Sequence, residues 1–268
     1  MADVRMTLPA ARRFGETTRR DAWWVQSALT FLGLTAFIVY STWAGYQNAH
    51  YDFGPYLSPM YSPLLFGPSP HSWFGGPAVP AWWPPFLHFS GAALIVGFPL
   101  SFRFTCYYYR GAYYKAFWAD PAGCAVGEPR KHYLGERWFP LVIQNIHRFT
   151  LYFALIFLCF LAYDAWNALW FTDGGGKHFG IGVGTLVLTL NVVFLSCYTL
   201  GCHSFRHLVG GALDIMAGRP VRRTAYVCVS CLNRWHMKWA WTSLFWVGFT
   251  DLYVRMCSMG IWHDVRLV

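Results

Sequence analysis

The sequence predicts an all-α polytopic membrane protein, with five transmembrane helices in one bundle and a cytoplasmic N-terminus. Three observations carry this. Of the 268 residues only 12% are charged, while 56% are hydrophobic and 20% aromatic; a soluble domain carries about 25% charged residues. Five apolar stretches are long enough to cross about 30 Å of hydrocarbon. Lys and Arg fall in clusters between those stretches, as the positive-inside pattern requires.

The first stretch, 23–46, follows Arg12, Arg13, Arg19 and Arg20. Its basic start is like that of a signal peptide. The run is too long for a signal core and lacks a clear small-residue cleavage site, so it reads as a spanning helix. The loop 47–85 has no Lys or Arg and is rich in Pro, Gly, Tyr and Trp; it is placed outside. The second stretch is 86–107, and 108–139 returns to the cytoplasm with Arg110, Lys115, Arg130 and Lys131. The third is 140–170, with a short outer loop around Thr172–His178, and the fourth is 180–207. The connection 208–238, with Arg219, Arg222 and Arg223, is cytoplasmic, and the fifth stretch, 239–259, leaves the C-terminus outside. The whole, 1–268, reads as a single transmembrane domain in the cell membrane.

The net charge of +9 invites a nucleic-acid reading, but the distribution excludes it. Of 21 Lys and Arg, five lie in 1–20, six in 103–137 and six in 206–238, with none between Arg20 and Arg103. No basic segment lies beside polar surface long enough to form a groove. The two cytoplasmic connections mix aromatics with charge, and connections of such length tend to be functional. They read as a platform for a soluble partner, or as amphipathic helices at the lipid headgroups.

The eight cysteines do not suggest a secreted disulfide scaffold, because most fall near helix ends on the cytoplasmic side, where thiols stay reduced or bind metal. Cys106, Cys124, His147, Cys197, Cys202, His203, His207, Cys228, Cys231 and His236 all fall toward that face. An ionisable residue in a membrane helix is a functional hypothesis by default, so His147 beside Arg148 stands out. An imidazole binds iron through one nitrogen while an acceptor holds the other. Arg148 suits a quinone carbonyl, a semiquinone anion or an interfacial carboxylate. A hydrogen-bonded packing histidine is the bland alternative. His203 and His207, four apart, share one helical face. Cys228-x2-Cys231 with His236 resembles half a zinc site, but four ligands are needed; plain loop thiols are the simpler reading. Cys159 and Cys257 read as small core residues.

Two metal readings follow. A haem b needs two axial histidines, and His147 with His203 would serve one; His88 has no helix partner for a second. A two-iron cluster takes two Cys on one iron and two His on the other, which raises its potential. The surplus of Cys beside His favours the cluster.

Thr105-Cys106-Tyr107-Tyr108-Tyr109-Arg110, Ala112-Tyr113-Tyr114-Lys115-Ala116-Phe117-Trp118, Cys124-Ala125-Val126, Gln144-Asn145-Ile146-His147-Arg148-Phe149 and Cys202-His203-Ser204-x-Arg206-His207 together resemble the single-chain membrane anchor, SdhC, of type F succinate dehydrogenase (respiratory complex II). The resemblance is carried by residues 85–215. It implies a flavoprotein and an iron–sulfur subunit docked on the cytoplasmic face, a membrane-embedded Rieske-type 2Fe-2S cluster, and electron delivery to quinone. The succinate site would lie on a partner subunit, and a higher oligomer is open. The soluble Rieske boxes are missing. The expected ligands are therefore chosen by depth in the bundle: Cys106 and Cys124 on one iron, His147 and His203 on the other, with Cys202 and His207 in reserve. Arg148, Asn145, Tyr109 and Trp118 are the expected quinone contacts, because a quinone needs donors at its carbonyls and aromatic walls. A haem b anchor is the first alternative. A non-redox transporter is the second, with Asp164 and Asp251 as the acids within the spans.

Overall fold

The computed structural model describes residues 13–77, 79–86, 88–130, 137–139, 141–211, 213 and 215–268. Arg12 and Lys131 lie outside these. The chain divides into two compact units, Met1–Ala36 with Phe104–Asn145, and Phe37–Arg103 with Ile146–Val268.

In the first unit, an extended N-terminal segment is tied to the stretch after Cys124. Thr17 bridges Val126, the Gly15 amide donates to the Gly127 carbonyl, and the Gly127 amide donates to the Glu16 carbonyl. The Trp23 ring lies against Gly123, where an added Cβ would come within 3.1 Å of the indole. The first turns of helix α1 (Val25–Gln47) belong here, as does α4 (Tyr107–Phe117). Phe31 of α1 packs on Phe117 of α4 with ring centroids 4.7 Å apart. The Tyr113 ring stacks on Phe104, and Gln144 Nε2 donates to the Tyr113 hydroxyl at 2.5 Å. Burial, and after it the neighbouring Tyr114, pushes the Tyr113 phenol up to about 12.

The second unit is a helical bundle. After α1 come a small hairpin, β1 (Asp52–Phe53) with β2 (Tyr56–Leu57), then α2 (Gly91–Ile95) and α3 (Gly97–Thr105). A 3-10 turn at Leu141–Ile146 leads into α5 (His147–Asn167). A hairpin of β3 (Trp170–Asp173) and β4 (Gly176–Phe179) joins α5 to α6 (Val183–Leu200). Then follow α7 (His203–Gly210), α8 (Pro220–Arg234) and α9 (His236–Ser258).

Among the described residues, three helices are long and apolar enough to cross a membrane: 25–47, 142–167 and 183–200. Their outer faces are apolar: on α1, Leu29 is 64% and Val39 63% exposed. Such a helix needs lipid around it. Helix α9 is long enough but carries Lys238, Asp251 and Arg255. The second expected span differs most. Pro80, Pro84 and Pro85 disfavour helix before Phe86, and Ser90 caps a helix that starts at Gly91. Helices α2 and α3 together rise only about 22 Å, less than the hydrocarbon thickness of about 30 Å. The fourth stretch is not one helix over 180–207, because it breaks at Gly201–Cys202.

Helices α5, α6 and α9 supply the core. Ala168, Leu188 and Val254 enclose Tyr56, and Val187, Tyr253 and Cys257 form a second cluster. Trp246 Nε1 donates to the Val187 carbonyl at 3.1 Å. The segment after α1, expected as an outer loop, contributes core residues. Leu57, Tyr61 and Leu64 bury against Ala92, and the Tyr61 hydroxyl lies 3.0 Å and 2.9 Å from the Ala44 and Gly45 carbonyls. Its aromatic composition is thus that of a packed lid on helix ends. Cys257 is buried as expected, whereas Cys159 is on the exposed face of α5.

Candidate functional site

The site is built around the break between α6 and α7. The Gly201 amide bonds the Cys197 carbonyl at 3.1 Å, and an added Cβ would fall 2.6 Å from that same oxygen. Only glycine fits this turn. Cys202 then takes an extended backbone and caps α7. Asn233 Nδ2 donates to the Gly201 carbonyl at 2.8 Å, so the exposed peptide is satisfied from α8. The result is a buried thiol, 1% exposed, that a continuous helix would not place there.

Cys202 Sγ meets the Nε2 of His147 at 3.0 Å. His147 is the first residue of α5, rather than two turns in as a helix starting at 140 would place it, because the preceding turn is 3-10. Its ring stacks on Phe102 at 4.8 Å and 14°, and the Phe102 backbone hydrogen-bonds it. His236 repeats this arrangement. It opens α9, its ring stacks on Tyr198 at 5.0 Å and 12°, and the Tyr198 backbone hydrogen-bonds it. Phe102 and Tyr198 touch edge-to-face at 5.6 Å. Both His236 and His203 are close enough to act electrostatically on His147. Three imidazoles and a thiol therefore share one neighbourhood.

The repeat extends to local sequence. Tyr198 stands four residues before Cys202, and Phe102 four before Cys106. Cys106, like Cys202, is buried and caps a helix with extended backbone. The spacing of Cys228, Cys231 and His236 resembles only half a zinc site and gives His236 no partner in the sequence. The readable signal was an aromatic-x3-Cys at the end of one apolar stretch and a histidine opening a later one.

The donor chemistry fits a metal: imidazoles fixed from one side by the backbone, as metal-binding histidines are, and a thiol facing one of them. Among the described residues, no group of three or more His, Cys, Asp or Glu is gathered as a ready metal site.

A family model for the actinobacterial succinate dehydrogenase subunit SdhC matches residues 25–260. The chain belongs to the SdhC family. A solved structure, the Mycobacterium smegmatis Sdh1 complex in the apo form, contains a chain 39% identical to it. The match has a TM-score of 0.85 and covers 97% of this chain and 98% of that one. No curated protein matches. The protein is thus a membrane subunit of succinate dehydrogenase.

The other expected site residues of this SdhC-family chain are placed as follows. His203 and His207 share a helix face, with their Nε2 atoms 3.0 Å apart and rings at 85°, but both are exposed. Burial, then His207 and Arg206, lowers the His203 pKa. Cys124 is exposed, and its carbonyl accepts from Arg19 at 3.0 Å. Cys228 and Cys231 are exposed on α8. Arg148 is exposed, its guanidinium 5.0 Å from the Phe149 ring; adjacent helix positions diverge by about 100°, so it does not follow His147 inward. Tyr109 is buried in α4 and Asn145 is exposed. Trp118 packs on Tyr113 and Tyr114 at 5.7 and 5.2 Å. Among the candidate ligands of the second unit, the structure brings together His147 with the reserve residue Cys202, and adds His236.

Proposed function

We propose that this SdhC-family chain anchors succinate dehydrogenase in the plasma membrane and carries electrons to quinone through a Rieske-type 2Fe-2S cluster. The observation that carries the reading is the buried 3.0 Å approach of Cys202 Sγ to His147 Nε2, flanked by the second carbonyl-fixed imidazole, His236. A hydrogen-bonded packing histidine explains one such residue. Two histidines in the same aromatic and backbone setting point to a paired role. His147 and His236 are the imidazole ligands in this reading, and Cys202 is a thiol ligand. Cys106 is kept as the further thiol from the sequence. When bound, the cluster supplies a one-electron carrier of raised potential.

The chain's own residues do the rest. The Phe102 and Tyr198 carbonyls hold the imidazole tautomers, and the two aromatic rings exclude water. Exposed His203 and Cys124 give way as ligands to His236 and Cys202. The flavoprotein and iron–sulfur subunits dock on the cytoplasmic connections, with five spans and the N-terminus inside. Arg148, Asn145, Tyr109 and Trp118 are carried forward as the quinone contacts. A haem b anchor is less well supported, because the candidate axial ligand His147 faces a thiol.

The test is the isolated complex with wild-type chain, His147→Ala and His236→Ala. Iron, acid-labile sulfide and a Rieske-like EPR signal are expected in the wild type and lost in both variants. Quinone reduction falls while succinate oxidation by an artificial acceptor persists. A sharp haem b absorption band, or iron content untouched by both substitutions, overturns the assignment.

A further inference from the structure

We infer that segment 64–86 is seated in lipid, in the leaflet where α5 ends, and packs against acyl chains rather than standing in the water beyond.

The first observation is charge. Residues 53–102 contain no Asp, Glu, Lys or Arg, yet among the described residues of this stretch helix begins only at Gly91. The second is exposure. Trp73, Phe74, Trp82 and Phe86 are 52%, 72%, 62% and 89% exposed. Uncovered aromatic surface gathered on one short segment marks a contact site.

A third observation says what covers it. The Trp73 ring packs on Phe160 and Tyr163 of α5, with centroids 5.4 and 5.9 Å apart. Tyr163 is itself exposed, as are Ile156 and Trp166 on the same face of that helix. This outward apolar face of α5 meets lipid, and Trp73 continues it. Phe160 stands seven residues before Asn167, where α5 ends, a distance of about 10 Å along the axis. The segment therefore reaches down to hydrocarbon depth. Its rings run on from there. Phe66 contacts Phe74 and Trp82 at 5.7 and 6.3 Å, and Trp83 contacts Trp82 and Phe89 at 5.7 and 5.3 Å. Tryptophans concentrate at the membrane interface for their amphipathic rings.

Irregular backbone in lipid must satisfy its own amides. Six of residues 64–86 are prolines, which have no amide hydrogen. The Trp73 and Phe74 amides donate to the Leu64 and Leu65 carbonyls at 2.9 and 3.0 Å, the Gly75 amide to Ser72 Oγ at 2.9 Å, and the Trp83 amide to the Pro80 carbonyl at 3.0 Å. Trp73 and Phe74 thus turn their rings outward with their amides paired.

The test is photolabelling of the wild-type complex in nanodiscs. One sample carries a phospholipid with a diazirine in its acyl chain, the other a water-soluble diazirine, and chymotryptic peptides are read by mass spectrometry. Acyl-chain adducts on 64–86 should match those on α5 and exceed those on the exposed β3–β4 turn several-fold, with the reverse order for the aqueous probe. Acyl-chain adducts no higher than at the β3–β4 turn overturn the inference. So does their absence together with cross-links between two copies of the chain through 64–86, which makes a second copy the occupant.

Discussion

Arg255 is wholly buried, and each of its three guanidinium nitrogens has a partner. Nη1 bonds Gln47 Oε1 at 2.8 Å and the Ala49 carbonyl at 2.9 Å, Nη2 bonds the Ala44 carbonyl at 3.2 Å, and Nε faces Asp251 at 3.4 Å. Asp251 in turn accepts from the Tyr40 and Ser58 hydroxyls. Removing one partner of a buried pair leaves the other uncompensated, at a cost of about 3–5 kcal/mol. Asp251→Asn and Arg255→Met should each lower the thermal midpoint of the purified chain, and the double variant should lose less than their sum; strict additivity would show that the pair is uncoupled. Gly184 is a different residue-scale constraint. An added Cβ would come within 2.4 Å of the Tyr56 ring, which is buried and tied to Asp264 at 2.6 Å. Gly184→Ala is expected to cost about 1–3 kcal/mol by overpacking, read as a thermal shift. Sequence alone gave Arg255 no role, because all its partners but Asp251 lie about two hundred positions away.

Helix breaks, rather than helices, place the chemistry. Gly201→Ala drives Cβ onto the Cys197 carbonyl and within 3.2 Å of Leu232. Cys202 should then lose its seat, and alkylation of that thiol in metal-free chain should speed up. An unchanged rate would mean that the break is not what buries it. The junction of α7 with α8 depends on Arg222, whose Nε and Nη2 donate to the Val209 and Gly211 carbonyls at 2.5 and 2.8 Å. These are among the orphan acceptors at a helix end. Arg222→Ala should destabilise this junction by about 1–3 kcal/mol, seen as faster limited proteolysis between 211 and 219. Composition and spacing made α1 and α9 readable to within about three residues at each end, and located α5 and α6 but missed the start of α5 and the end of α6 by seven residues each, because lipid imposes length and apolarity on a spanning helix but does not mark its breaks. They did not make readable the interruptions, which depend on single residues such as Gly201 and on bonds from other helices.

At the scale of the whole molecule, exposed apolar side chains on the helices call for a bilayer, and the proposed orientation, with the basic clusters inside, is open to test. Cys228 and Cys231 are exposed on α8. A membrane-impermeant maleimide should label them from the cytoplasmic side only. Cysteine introduced by Lys177→Cys, at the exposed β3–β4 turn, should label from the opposite side. Labelling of both from one side would remove the inward N-terminus and the five-span count together.

The sequence by itself determined the apolar surroundings this protein needs, its helical class and its family resemblance, and it supplied the residue types of the candidate site. Those follow from local composition and period, which the chain carries at every position. Tertiary structure decided which histidine joins His147, because stacking on Phe102 and on Tyr198 unites positions far apart in the chain. It also decided that Cys202 turns inward, since that depends on a backbone break a periodic reading passes over. Pairing at a distance is fixed by packing and hydrogen-bond satisfaction, and neither is written in any single stretch of residues.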